Sequence, residues 1–276
     1  MPEGRGLPRA QLALDAIMRK WWLYLLLLFL FFLPPYSSRD YDPRDSVDVI
    51  SAVLMNPLIF QVPNLMPIAK AVPALLVVGL VVLGDRMKPF VNAYAALLYG
   101  ALAIFQQSGW TASYGFVVVT GNVVLVSIVA LFWGWELFSG ANDFRPRRIP
   151  SGRWWCAPLA LFAFLSPVDA ITLEPDFNLL HMLTNEAGLT LCMMTPFMLS
   201  MLVLFYPTVN LALLRVTSFV GILFGIVNMI VWFLLSPSGW WMGVLHIPLL
   251  VTSVYAFLIG QGMGGRLVLG RAAGHS

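Results

Sequence analysis

The sequence predicts an all-α polytopic membrane protein with about eight transmembrane helices, and three observations predict it. Of its 276 residues, 59% are hydrophobic and only 11% are charged, and the mean hydropathy is +0.83. A soluble domain of this size needs a more charged surface than that. The apolar residues also gather in runs close to the ~20 residues a helix needs to cross a ~30 Å hydrocarbon core. Finally, the basic residues cluster in alternate connections between those runs, as orientation in a membrane requires.

The spans fall at about 17–35, 67–84, 89–107, 113–138, 154–173, 186–205, 211–234 and 242–261. The first is the shortest apolar run, Trp21–Pro35, and a basic start before it also suits a secretory signal peptide. Leu33-Pro34-Pro35-Tyr36 lacks a small-x-small cleavage pattern, however, which favours an uncleaved span. With the N-terminus in the cytoplasm, thirteen of the sixteen Lys and Arg residues lie on the inner side; Arg39, Arg44 and Lys70 are the exceptions. Basic residues resist translocation, so both termini are expected inside. The outer side instead collects acids: Asp40, Asp42, Asp45, Asp48, Asp169, Glu174, Asp176 and Glu186. Trp21, Trp22, Trp110, Trp154, Trp155, Trp240 and Trp241 fall at span boundaries, where amphipathic rings settle. The expectation is one integral membrane domain over 1–276, with tails 1–16 and 266–276 in the cytoplasm of a prokaryotic plasma membrane.

The halves 17–140 and 150–265 share a layout. Lys20-Trp21-Trp22 opens the first span and Arg153-Trp154-Trp155 the fifth; Pro34 and Pro167 mark their exits. Ser108-Gly109-Trp110 and Ser238-Gly239-Trp240 link spans three to four and seven to eight. Four spans per half would relate the halves by an axis along the membrane normal, a tandem 4+4 parallel repeat. Chance is the competing explanation, because tryptophans and Ser-Gly turns are common at membrane boundaries. Two short outer amphipathic helices extend the parallel. In one, Asp45, Asp48 and Ser51 lie opposite Val47, Ile50 and Leu54. In the other, Glu174, Asn178, His181 and Asn185 share a face at i, i+4, i+7, i+11 spacing.

Ionisable and amide groups within spans are the candidate working residues, because the bilayer makes them costly. Lys70, between Pro67 and Pro73, is the foremost: it either pairs with an outer carboxylate or ligand anion, or snorkels to the interface. Asp169, at the outer end of span five, either faces Lys70 or caps a chain exit. Asn122 and Asn228 lie deeper, as interhelical hydrogen-bonding groups or as lining of a polar path. His181, Glu174 and Asn185 complete the outer entry. Glu136 and Arg215 lie near the inner headgroups and receive no role. Gly221-x-x-x-Gly225 reads as a packing face.

Other chemistry has less support. Cys156 and Cys192 both fall in spans, giving neither a disulfide framework nor a thiolate metal set. A metal drawn from His181, Glu174 and Glu186 lacks a second histidine and a common face, and a Cys192–His246–Asp169 trio competes with simple core filling by the thiol. Two haem imidazoles at mid-depth are lacking, so no cofactor is expected. Gly260, Gly262, Gly264 and Gly265 follow a span rather than a strand and make no phosphate loop. Arg145-Pro146-Arg147-Arg148 is explained by orientation alone, and nucleic-acid binding has no support. The leading expectation is therefore a transporter or permease for a small solute, working by alternating access between four-helix halves. The competing expectation is a non-catalytic subunit or assembly factor of a larger membrane complex. A membrane-embedded enzyme ranks third. The bilayer is the one certain partner; a small-molecule or ion substrate and membrane protein partners follow from these two readings.

Overall fold

Runs of leucine, valine and phenylalanine with almost no charge fold the way a low-dielectric medium requires, with backbone groups satisfied inside each helix. The computed structural model describes residues 9–145, 149–169 and 172–262, and it is 75% helical. Arg147, Arg148, Gly264, Gly265 and His275, with the outer parts of both tails, lie outside the described residues. Helices run in the order α1 (Arg9–Ile17), α2 (Trp21–Phe31), α3 (Ser46–Leu54), α4 (Met66–Leu83), α5 (Lys88–Ala101), α6 (Thr120–Ser139), α7 (Cys156–Leu165), α8 (Leu179–Thr184), α9 (Leu191–Leu204), α10 (Leu211–Ile230) and α11 (Trp240–Gly260). Both α5 and α10 continue into a five-residue π turn, Leu102–Gln106 and Val231–Leu235.

By length and composition four helical segments can cross a membrane, or five if α8 and α9, bent by 87° with the turn at Thr190 between them, count as one. One of the four is the 44-residue stretch Pro63–Gln106, which as a straight rod would extend about 66 Å. It is not straight. A Cβ on Gly188 would lie 2.7 Å from the Ala69 carbonyl, while Gln106 accepts a hydrogen bond from the nearby Leu191 N–H at 3.0 Å. Ala69 and Gln106 therefore lie at the same end of the bundle, and the chain doubles back at Gly84, whose φ of 58° suits a residue without a Cβ. Exposed apolar side chains such as Val78, Val81 and Val82 on α4, together with these long apolar helices, point to an integral membrane protein.

Several expected boundaries are corrected. Spans at 17–35, 154–173 and 186–205 are replaced by helices of 11, 10 and 14 residues, about 15–21 Å long. Pro34-Pro35 follows α2, and Ser166, at φ 46°, followed by Pro167 ends α7. Residues 113–119 do not begin a helix. Tyr36–Ser37, Ser108–Thr111 and Gly115–Val118 form strands β1, β2 and β3 of an antiparallel sheet in the order β1-β3-β2, so the fold is not purely helical. Ala112, Ser113 and Tyr114 turn between β2 and β3, and Gly115, the first residue of β3, takes a φ of 69° that suits a residue without a Cβ. Ser108-Gly109-Trp110 is thus strand, while Pro237–Gly239 is a 3-10 turn leading into α11.

The two short outer helices differ from expectation in detail. In α3 the buried residues are Val49 and Val53, which face β2, while Val47 is exposed. The second helix, α8, has six residues: Asn178 and Asn185 are its caps, and Glu174 lies before it, beside the Val168–Pro175 bridge, off the helical face. The core centres on α9, which is buried nearly all round through Met193, Met194, Met198, Leu199 and Leu202. α7, α10 and α11 enclose it. Within the expected tail 1–16, the described residues from Arg9 on form α1, which packs on the bundle with Gln11 buried. One end of the bundle therefore carries the sheet, α3 and α8. The other carries α1 and the loops at residues 84–87, 140–145 and 206–210.

Candidate functional site

The ten residues of α7 end at Leu165, and the last carbonyls of a helix need partners from outside it. Lys70 supplies one. It sits near the start of α4, 3% exposed; its ammonium donates to the Phe164 carbonyl and lies 4.7 Å from the Phe164 ring centre. It does not snorkel. Asn185 supplies the next two, its Nδ2 donating to the Leu165 and Ser166 carbonyls at 2.9 Å each. The indole of Trp241 donates to the Pro167 carbonyl at 2.7 Å. A cation at a helix C-terminus also meets the negative end of the dipole.

The local sequence brings these groups together. Pro67 fits the first turn of α4, and Pro73 has no N–H to offer the Ala69 carbonyl four residues back. That freed carbonyl lies against Gly188, where a Cβ would come within 2.7 Å of it. The close approach seats the Glu186–Leu189 turn against α4 beside Lys70. An ammonium has three protons to donate, and among the described residues no carboxylate lies within 4.0 Å of Lys70 Nζ. The Lys70 side chain is therefore buried and held by one carbonyl and one aromatic face.

The other sequence candidates divide between this end and the bundle interior. Asp169 lies beyond α7, its carboxylate accepting from the Thr172 N–H at 2.8 Å. His181 Nδ1 pairs with Asp176 Oδ2 at 2.6 Å, and Asp176 also accepts from the Asn178 N–H. The histidine contact foremost, with that backbone bond, holds the Asp176 carboxyl below its ordinary range. Glu174 uses its backbone carbonyl to accept from the Asp169 N–H. Asn122 donates to Gln107 at 2.8 Å, tying the start of α6 to the hairpin. Asn228 donates to the Phe224 carbonyl at 2.8 Å and lies 3.7 Å from Cys192 Sγ. His246 pairs instead with the Met242 carbonyl at 2.6 Å, so the conceived Cys192–His246–Asp169 trio has its members engaged elsewhere. Among the described residues no three His, Cys, Asp or Glu side chains group as metal ligands.

The α1 end holds what sequence position concealed. Glu136 and Arg215, expected to reach headgroups, are 0% and 2% exposed. Glu136 accepts from the Asn142 N–H at 2.6 Å, Asn210 Nδ2 at 2.7 Å and Ser139 Oγ at 2.9 Å. Asn210 is the N-cap of α10, so the carboxylate also meets the positive end of a helix dipole. The network extends through Asn142 to Asn92 and through Asn210 to Gln11, with Trp135 donating to Gln11. Arg215 donates to the Gly260 carbonyl at 2.8 Å and the Asp15 carbonyl at 3.3 Å. The signal that could have found these was Asn142 and Asn210 flanking apolar spans, together with Gln11 and Asp15 at i, i+4 in the presumed tail. No family model matches the chain, and neither a curated protein nor a solved structure matches it.

Proposed function

We propose that the chain is a multi-pass membrane transporter for a small solute, with Lys70 and the C-terminus of α7 as its working centre. The observation that carries this reading is a buried ammonium resting on the carbonyl end of a helix too short to cross. Transporters place their sites at such interrupted helices, between repeated halves. Lys70 belongs to the half 17–140 and Phe164 to the half 150–265, so rocking the halves apart would release the ammonium. Eight crossings are inferred, with α2 and α7 as short ones and α4 and α5 as separate passes. Several element parallels favour the tandem repeat: short α2 and α7, short α3 and α8, and the π turns ending α5 and α10. The bias of basic residues toward the α1 end favours a cytoplasmic orientation for that end, and the proposed bilayer is a prokaryotic plasma membrane. The acidic opposite rim attracts organic cations or zwitterions.

The test is uptake into proteoliposomes of a radiolabelled panel of zwitterions and organic cations. Wild-type protein should move at least one panel member, and Lys70→Met should abolish that flux while remaining folded. Undiminished flux in Lys70→Met would reject the centre.

A second reading, a non-catalytic subunit of a larger complex, has its own observation. A groove of about 510 Å3 between α5 and α6 is lined by Gly100, Ser127, Ala130 and Gly134 among others. A Cβ on Gly100 or Gly134 would meet nothing within 4 Å, so neither glycine is required by packing within this chain. Small residues of this kind let a further helix approach closely. Native mass spectrometry from the host membrane separates the readings. A monomer or homo-oligomer supports transport; fixed stoichiometry with other chains supports the subunit.

A further inference from the structure

We propose that α1 is a detachable latch that closes the α1 end of the bundle, with Gln11 and Asp15 as its two catches. They lie four residues apart, hence on one face of the helix. Gln11 is 1% exposed. Its amide donates to Asn210 Oδ1 at 2.8 Å and accepts from Asn210 Nδ2 at 3.1 Å and Trp135 Nε1 at 2.8 Å. Asp15 offers its backbone carbonyl to Arg215, and its carboxylate lies 3.8 Å from the guanidinium. One helix face thus covers both the carboxylate network of Glu136 and the guanidinium of Arg215.

The attachment is mainly polar, with Leu14 as the helix's apolar contact to the core. Gln11 is the one residue of α1 that is buried, while Leu12 and Ile17 are exposed; Met18, just after the helix, is the nearest buried apolar anchor. A nine-residue helix has little stability of its own, and segments with few buried apolar contacts open at low free energy. Apart from Leu14, which packs on the core, the large apolar side chains of α1, Leu12 and Ile17, face outward, so its outer face can remain in the bilayer interface when the catches release. The second catch is incomplete: Asp15 Oδ1 is buried with no hydrogen-bond donor. By contrast Glu136, Asn142 and Asn210 lock one another without α1 and would keep the bundle intact when it lifts. What the latch closes is the transport route, and to that extent the inference rests on the proposed function.

The test is hydrogen–deuterium exchange on the full chain in nanodiscs, beside the same panel flux. In the wild type, amides of Gln11–Ile17 should exchange at least about ten-fold faster than those of Leu213–Phe224. In the variant Gln11→Ala/Asp15→Ala, α1 exchange should rise about ten-fold further while α9 stays protected, and panel flux should increase at least about two-fold. Wild-type protection of α1 equal to that of α10 would overturn the latch, whatever the variant does. So would exchange in α1 that the double substitution leaves unchanged, or unchanged flux despite a released α1. A wild type that moves no panel solute, with α1 opening as expected, would instead remove the transport reading and leave the helix's detachment standing.

Discussion

Lys70 and Glu136 are two buried ionisable groups of opposite type, Lys70 at the C-terminus of the neighbouring α7 and Glu136 at the N-terminus of the neighbouring α10, and they are satisfied very differently. Lys70 has one carbonyl and an aromatic face for its three protons. Glu136 has three donors on its two oxygens, from a backbone amide, a hydroxyl and an N-cap asparagine. A fully bonded charge is an anchor: removing it strands several partners at once. A sparsely bonded charge leaves few partners behind and can exchange them during a conformational cycle. Burial alone does not mark a working residue; under the proposed function, the number of committed partners separates anchor from moving part.

The anchor should show the largest stability loss. Glu136→Ala leaves the Asn142 N–H without its acceptor and the Asn210 amide with only Gln11, and should cost about 2–3 kcal/mol, read from thermal unfolding in micelles. A loss below about 1 kcal/mol would erase the contrast. Asn185→Ala uncaps two carbonyls of α7 and should cost about 1–2 kcal/mol; Asn185→Asp, which lacks the donor, should not rescue it. Asn228→Ala removes a hydrogen bond to the Phe224 carbonyl, the acceptor of the Trp232 indole at 3.3 Å and a weak thiol contact, so about 0.6 kcal/mol is expected, the usual size between membrane helices.

The smallest effect lies at the exposed Asp176–His181 pair. The Asp176 carboxyl is held below its ordinary value, so its contribution is present above about pH 4, the unfolded value. It is lost as pH falls through the lowered one. A pH titration of the Asp176 carboxyl by NMR should show the depressed midpoint, and His181→Ala should return it toward normal.

Much of the helical layout was legible in the sequence, because apolar runs with charged connections leave a bilayer protein few alternatives. Helix ends were less legible. Hydropathy cannot see that Ser166 turns left-handed or that residues 113–119 pair as strand, since valine and phenylalanine serve strand and span equally. Lys70 and Asn185 could be singled out as costly groups, but their meeting at α7 depends on which helix packs against which. Glu136 and Arg215 were misplaced for a related reason. Position along a helix gives depth in the membrane, whereas burial depends on lateral neighbours, here α1, which looked like a tail.

The most direct test sets Lys70→Met beside Glu136→Gln, measuring panel flux per folded molecule in proteoliposomes. The account predicts that Lys70→Met loses flux while folded protein is retained. It predicts that Glu136→Gln, which keeps a carbonyl acceptor, loses folded protein while each surviving molecule still transports. Flux abolished per molecule by Glu136→Gln and preserved by Lys70→Met would contradict it, and would move the working centre to the α1 end.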